Sequence, residues 1–380
     1  MNSLASSARE APLPGLYVHV PFCRSKCRYC DFYSVTSHER VDDWLGGLRC
    51  EVRHYRNRFP TFTTLYLGGG TPTLLAPYQL ETLFELLHTD FGFTGDAEVT
   101  VEANPDDITQ ELLGCLAGLG VNRVSLGVQS FDDGILSFLG RRHSGRQAEQ
   151  AFAAIRQAGF SNVGLDLMYG IPGQNVAAWL EQLARAVHLQ PEHLSCYQLT
   201  LEAQTPLGRM LRNGRFDALD EEVERSFFLN TSQFLEKHGY THYEVSNFAR
   251  GDRFRSRHNS NYWNHTSYLG LGPGAHSFLD GERWWNIPSL DSYCLVLAEG
   301  GLPVAGRERL TPEQLLLESL FLGFRTRDGV LLEEVNPHPR ARETQTRLVA
   351  EGLLRIADGR LKPTPAGMVV ADQLPLWLCE

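Results

Sequence analysis

The sequence has no apolar run approaching the ~20 residues of a membrane-spanning helix, and its opening stretch, MNSLASSAREAPLPG, holds no apolar segment of the kind that directs export. Both absences lead to the expectation of a soluble, cytoplasmic protein. A basic surplus is missing too: 35 Lys and Arg stand against 45 Asp and Glu, a formal charge of −10, which argues against a nucleic-acid-binding surface. Cysteine is scarce, eight in 380 residues, too few and too scattered for a disulfide scaffold and suited to a reducing compartment. Cys115 in ELLGCLAGL and Cys196 in LSCYQL read as buried apolar positions, and Cys50, Cys294 and Cys379 are read the same way. No internal repeat beyond strand–helix units and no low-complexity tract stands out.

Against that scarcity, Cys23, Cys27 and Cys30 stand together in YVHVPFCRSKCRYCDF at spacing C-x3-C-x2-C. Thiolates suit iron–sulfur clusters and zinc, and a closed site of either kind takes four protein ligands. Three ligands leave one metal position open. The alternatives are a zinc site completed by His19 or His38, or three unrelated structural thiols. The run GLYVHV reads as a buried strand ended by Pro21, so the cysteines fall on the loop leaving a strand, where α/β proteins place their chemistry.

Strand-like segments at 16–21, 63–67, 98–103, 122–128, 162–168 and 193–200 alternate with amphipathic stretches such as VDDWLGGLRCEVRHY, PYQLETLFELLHTD and GRQAEQAFAAIRQAGF, the pattern of βαβ units and a parallel sheet. Thr109 is placed as a helix N-cap, and Gly120 and Gly159 as C-terminal glycines. Six units fall two short of a closed (β/α)8 barrel. The expected fold is therefore α/β, an open, partial (β/α)6 barrel with its loops gathered at the strand C-terminal ends.

Those strand ends carry more polar and glycine residues than turns demand. Gly68, Gly69 and Gly70 in LGGGTPT allow the backbone to approach a ligand closely. Glu102 in VEANP, Gln129 in GVQSF and Asp166 in LDLMYG end or interrupt the next three strands. Any one alone is more readily a satisfied core polar group.

The cysteine run resembles the signature of the radical S-adenosylmethionine (SAM) superfamily. The resemblance implies a [4Fe-4S] cluster on Cys23, Cys27 and Cys30, SAM on the open iron, and cleavage of SAM to methionine and a 5′-deoxyadenosyl radical after an electron is supplied. It also implies SAM contacts at Tyr17, Tyr29, Gly69, Gly70, Thr71, Glu102, Gln129, Arg141 and Asp166. Chemically, Arg141 can pair with the methionine carboxylate, and Glu102 and Asp166 can accept from ribose hydroxyls or the ammonium. On its own, RRHSGR around Arg141 reads as a solvated basic turn.

The order of these residues is similar to the branch holding oxygen-independent coproporphyrinogen III oxidase and the HemW-like heme chaperones. The oxidase carries a further cysteine two positions after the third, where this chain has Phe32, and this puts decarboxylation of coproporphyrinogen in doubt. RHNSNYWNHTSYLGLGPGAHSF contains His258, Asn259, Asn261, Tyr262 and Trp263, similar to the H-N-x-x-Y-W element of the chaperones. That likeness implies heme as a further ligand, with His258 as the candidate axial ligand and His276 its rival. The expected partners are heme or porphyrin, heme-accepting proteins such as respiratory enzymes, an electron donor for the cluster and a second copy of the chain as a homodimer.

Three regions are expected: a tail over 1–15, a barrel over 16–300 and an accessory domain over 301–380. In the last, Thr311-Pro312 opens a helix and LLRIADGRLKPT reads as a hairpin around Asp358-Gly359, which together suggest a mainly helical, winged-helix-like module.

Overall fold

The computed structural model describes residues 12–59, 61–335 and 339–379, so most of the expected tail lies outside the described residues. Buried strands and amphipathic helices alternate through the first half. The strands are β1 (Gly15–Val20), β2 (Thr61–Gly69), β3 (Gly92–Ala103), β4 (Arg123–Gln129), β5 (Val163–Tyr169) and β6 (His193–Gln198). Between them lie α1 (Val41–Tyr55), α2 (Pro77–Asp90), α3 (Gln110–Gly118), α4 (Asp133–Leu139), α5 (Gly145–Gln157) and α6 (Val176–His188). Every expected strand is present. The expected caps form as well: Thr109 accepts from Leu112 N at 3.1 Å, and Gly120 and Gly159 take φ of 80° and 94°.

After β6 the chain continues through α7 (Pro206–Arg212), α8 (Glu221–Lys237), β7 (Thr241–Glu244), β8 (Asn247–Ala249), α9 (Arg257–Trp263), β9 (Tyr268–Leu271), β10 (His276–Leu279), β11 (Glu282–Asn286), α10 (Leu290–Ala298) and β12 (Val304–Arg309). Among the described residues twelve strands join one sheet, whose order is β12-β11-β10-β9-β1-β2-β3-β4-β5-β6-β8-β7. β1 to β6 run parallel in sequence order. β9 adds a seventh parallel strand beside β1, and antiparallel strands extend both edges. These additions come from short segments whose alternation is too brief to read as strands.

Period-2 alternation gives the sheet two unlike faces. Leu65, Leu67, Val101, Leu126, Leu165 and Leu167 point outward and pack under the helices. Fully buried Trp179 on α6 adds its ring to that layer, about 2–3 kcal/mol of burial, and donates its indole N–H to Thr231 on α8 at 2.7 Å. The residues between them, Tyr66, Glu102, Ser125 and Asp166, are polar and line the interior. Polar residues on the concave face are what make the barrel a container.

The C-terminal region comprises α11 (Pro312–Gly323), β13 (Val330–Leu331), α12 (Pro339–Ala350), β14 (Leu354–Ala357), β15 (Arg360–Pro363), α13 (Pro365–Val369) and α14 (Leu374–Cys379). Its three strands form a separate sheet, β13-β15-β14, over a core that includes Leu320, Phe324, Leu348, Leu361 and Leu374. Thr311 caps α11 in a capping box with Gln314, and Asp358 and Gly359 turn the hairpin with φ of 55° and 70°. The expected boundary at 301 moves: β12 pairs with β11 in the large sheet, so the separate unit starts after residue 309. It attaches through backbone bonds from Val245 N to Arg325 O and from Arg327 N to Tyr243 O, both 2.9 Å. Among the cysteines, Cys196 is buried as expected, whereas Cys115 and Cys294 are half-buried and Cys50 and Cys379 are exposed; each of these four lies on a helix, where one face is wet.

Candidate functional site

A cavity of about 480 Å³ opens at the C-terminal ends of the parallel strands, within the size range of small-molecule sites. Cys23, Cys27 and Cys30 form one wall, and all three are free thiols, half-exposed to it. Pro21 ends β1 and releases the chain into this loop, which is then closed on itself by Cys23 N to Val35 O at 2.9 Å and Val35 N to Pro21 O at 2.7 Å. Arg28 is pinned through its backbone on both sides, donating to Leu139 O and accepting from Leu207 N, each at 3.0 Å. The thiols are thus presented by a loop held at its base and its middle.

A chain of side-chain hydrogen bonds runs behind them. Thr71 Oγ1 donates to Cys23 Sγ at 3.8 Å, Asn104 Nδ2 donates to Thr71 Oγ1 at 3.1 Å, and the Arg141 guanidinium donates to Asn104 Oδ1, to Gly127 O at 2.7 Å and to Cys27 Sγ at 3.5 Å. Arg141 is therefore part of the cavity wall, not the solvated turn that RRHSGR suggests by itself. Gly127 makes room for it: a Cβ there would lie 3.1 Å from Gln129 Nε2 and 3.4 Å from an Arg141 nitrogen. Gln129 takes φ of 64° where β4 bulges against β5, a left-handed conformation that costs a non-glycine residue on the order of 1 kcal/mol. The bulge turns its side chain into the cavity.

The opposite side is acidic. Glu102 accepts from Tyr66 Oη at 2.8 Å and from Gly69 N at 3.1 Å, and burial raises its carboxyl to about 7. Asp166 accepts from Ser125 Oγ at 3.1 Å, and burial raises it as well, opposed by its bonds to Ser195 and Ser125. Burial also raises Cys23, and raises Cys30 to about 11. Such thiols hold their protons until a cation displaces them, which metal coordination does.

Of the expected ligand residues, Tyr29, Gly69, Gly70, Thr71, Glu102, Gln129, Arg141 and Asp166 all line this cavity. Tyr17 does not. Its hydroxyl is spent on His19 Nδ1 at 3.0 Å and its ring packs beside Tyr66 and His258, so it supports the lining from behind. Gly70 has a structural role as well as its place in the cavity wall. Gly70 N is bonded to Val20 O at 2.8 Å, and a Cβ there would meet Phe22 O at 2.6 Å; the glycine lets two protein backbones meet. Tyr66, Asn104, Ser125 and Tyr197 line the cavity unannounced. Only Asn104 had a readable signal, a polar residue before Pro105 at a strand end.

The zinc alternatives find no support. His19 has both ring nitrogens engaged, by Tyr17 and by Tyr33 O, and His38 turns Nε2 to the Cys23 carbonyl oxygen at 3.2 Å. Among the described residues no fourth donor stands free beside the three thiols, and such a set fits an iron–sulfur cluster with one open position.

His258, expected to face heme, is buried with 1% of its surface exposed. Thr64 Oγ1 lies 2.8 Å from Nδ1 and Tyr262 Oη 2.8 Å from Nε2, while its ring stacks on Tyr66 at 4.9 Å. Both nitrogen positions are taken, so this imidazole is a packed element under the barrel and not an accessible iron ligand. Its neighbours are fixed by the same packing: α9 is anchored by Arg257 N and His258 N donating to Glu98 at 3.1 and 3.0 Å.

Residues 17–186 match the family model of the Radical SAM superfamily, and residues 310–370 that of the HemN C-terminal domain. The heme chaperone HemW of Mycobacterium tuberculosis is 38% identical over 95% of this chain and 95% of its own length, and that of Bacillus subtilis is 37% identical over 83% and 84%. Among solved structures, the coproporphyrinogen III oxidase (HemN) of Escherichia coli, a radical SAM enzyme, superposes with a TM-score of 0.82 over 97% of this chain and 90% of that one, at 22% identity. At that identity the likeness speaks to the fold. No described helix is long and apolar enough to cross a membrane.

Proposed function

Because this chain belongs to the radical SAM superfamily and, within it, to the heme chaperone HemW family, we propose that Cys23, Cys27 and Cys30 hold a [4Fe-4S] cluster, that the cavity they face binds SAM, and that the protein carries heme to hemoproteins such as respiratory enzymes in the cytoplasm. The observation that carries this reading is the single cavity in which three free thiols face Glu102, Asp166 and Arg141. When bound, such a cluster supplies one electron from an external donor and a coordination position for a small molecule.

The chain's own residues then have separable tasks. Arg141 meets a carboxylate beside Cys27 with a fork of donors already oriented by Asn104 and Gly127. Glu102 keeps a lone pair on each oxygen for an ammonium or a ribose hydroxyl, and Ser125 orients Asp166 for the same class of donor. The half-buried rings of Tyr29 and Tyr66 line the inner wall and limit water there. Phe32, 70% exposed at the rim, stands where the oxidase has a thiol, and this favours carriage of heme over oxidation of coproporphyrinogen.

Anaerobic reconstitution with iron and sulfide, followed by parallel assays of heme binding and of coproporphyrinogen III consumption with SAM and a reductant, tests the reading. Stable heme binding without porphyrin product is expected. Steady SAM-dependent formation of protoporphyrinogen would overturn it.

The raised carboxyl of Glu102 predicts the pH dependence of SAM binding. Near pH 7 this carboxyl is partly protonated in the free protein, and a cationic ligand needs it ionised. Affinity should therefore rise from pH 6 to about 7.5, by up to tenfold per unit on the acidic limb, and turn over near pH 8 where an α-amino group loses its proton. Calorimetry across this range should find the acidic limb absent in Glu102→Gln. An unchanged profile in that variant would remove Glu102 from the site.

A further inference from the structure

The chain carries ten more acids than bases, yet three separate stretches hold no acid at all: CRSKCRYC over 23–30, GRRHSGRQ over 140–147 and PLGRMLRNGR over 206–215. Between them they contain nine Lys and Arg residues. Arg141 turns into the cavity, and the other eight, Lys26 and seven arginines, are exposed.

The fold brings these stretches together. Arg28 donates its backbone N–H to Leu139 O and accepts from Leu207 N, both at 3.0 Å, and its guanidinium donates to Phe138 O at 3.3 Å. Around these joins lies an apolar cluster that includes Leu139, Leu207, Phe138, Met210 and Phe216, with the two phenylalanine rings 5.7 Å apart. α7 is tied to the loop before it, where Arg209 and Arg212 donate to the carbonyl oxygens of Gln204 and Ala203 at 2.6 and 3.0 Å. The charges therefore stand on a firmly backed surface. Acids meet it at few points: Arg24 pairs with Asp107 at 3.1 Å and Arg142 with Asp106 at 3.5 Å, Asp31 accepts from Gln204 Nε2 at 2.8 Å, and Glu202 and Asp217 stand exposed beside it. Among the described residues, Lys26, Arg28, Arg209, Arg212 and Arg215 have no carboxylate within ion-pair distance.

The place of this surface gives it a use. Cys27 and Tyr29 line the cavity, whereas Arg28 between them does not and is exposed. One side of the loop presents thiols and the other presents charge. We propose that this surface docks an acidic one-electron carrier protein, which reduces the cluster across the cysteine loop. The proposal rests on the cluster-holding reading above and names the partner that such a cluster requires. The carrier loses one electron and the cluster gains it, with no bond made or broken and no proton moved. Charge complementarity carries the argument: the basic surface attracts an acidic protein and orients its approach, while the acidic remainder of the chain repels it elsewhere.

Reduced plant-type ferredoxin, a small acidic [2Fe-2S] protein of low potential, is the probe, and the full-length reconstituted protein is the target. Bleaching of the cluster absorbance in stopped flow gives the rate, and calorimetry on the cluster-free protein gives binding. In wild type the rate should fall about tenfold or more between about 50 and 500 mM salt. The variant Arg209→Glu/Arg212→Glu/Arg215→Glu, altered outside the cavity, should keep its iron, lose ferredoxin binding and slow reduction by ferredoxin about tenfold or more at low salt. Reduced methyl viologen, a small cation, should reduce both proteins at rates no slower in the variant, and the corresponding triple Lys variant should stay near wild type. Ferredoxin reducing the Glu variant at the wild-type rate, equal slowing in the Lys variant, or a wild-type rate indifferent to salt would each overturn the docking surface. Binding of duplex DNA without binding of ferredoxin would overturn it in favour of a nucleic-acid surface. Failure of iron and sulfide to form a cluster in wild type would overturn the cluster reading itself, and the proposal with it.

Discussion

Cys27→Ala is expected to leave iron and labile sulfide at background after anaerobic reconstitution, with the absorbance of the cluster gone and the fold unchanged. The reasoning is one of ligand number. A [4Fe-4S] cluster already short of one protein ligand has no spare donor among the residues around it: His19 is doubly hydrogen-bonded and His38 faces a backbone carbonyl. Removing one of the three thiols leaves two. The loop itself should survive, because its anchors are backbone bonds at Cys23, Arg28 and Val35 and the Cys27 side chain is only half-buried. The melting temperature of the cluster-free protein should therefore move by no more than a few degrees, as for a side chain whose loss costs about 1 kcal/mol or less. Circular dichroism and iron analysis on the same sample separate the two effects. Retention of a full cluster in Cys27→Ala would mean that another donor completes the site and would overturn the three-cysteine assignment.

Arg141→Met is expected to keep the cluster and weaken SAM binding about 100-fold, roughly 2.7 kcal/mol. Methionine fills much of the same space and removes the charge. The lost fork would leave a carboxylate without its partner, together with Asn104 Oδ1 and Gly127 O, and an unpaired group at a buried charged contact costs 2–5 kcal/mol. Arg141→Lys should recover only part of this, since one ammonium cannot reach Cys27 Sγ, Asn104 and Gly127 O from one position as a planar guanidinium does. Calorimetric titration of the reconstituted variants gives the affinity, and iron analysis the loading. Loss of iron together with affinity would assign Arg141 to holding the cysteine loop and not to the ligand. Paired with the cysteine variant, it tells failure of the cluster from failure of the ligand site.

Much of the site was readable because its chemistry is local in sequence. Cys23, Cys27 and Cys30 lie within one loop, and Glu102, Gln129 and Asp166 each fall on a strand that period-2 alternation identifies, so the rule that parallel strands end at a common face brings them together. Resemblance supplied the roles; periodicity supplied only the placement. Arg141 shows where a single stretch misleads. In RRHSGR it reads as a surface turn, and it is packed, half-buried, against Cys27 only because α4 ends at Gly140 beside the cysteine loop, a meeting of segments over 110 residues apart. Tyr66 and Ser125 were silent for the opposite reason: they sit inside strands where any alternating polar residue looks alike.

The aromatic motif at 258–263 divides along the same line. Composition and order marked it, and the tertiary structure decided its use, by closing Thr64 and Tyr262 over both nitrogens of His258 and by adding β9 beside β1. What the chain's sequence determined by itself was the alternation of strand and helix, the cysteine loop and the acidic strand ends, because hydrophobic period and ligand spacing are properties of neighbours. Which groups are accessible, Arg141 inside, His258 sealed and His276 open on Trp285, was decided only by packing between distant segments, because burial and hydrogen-bond satisfaction depend on what lies across the fold.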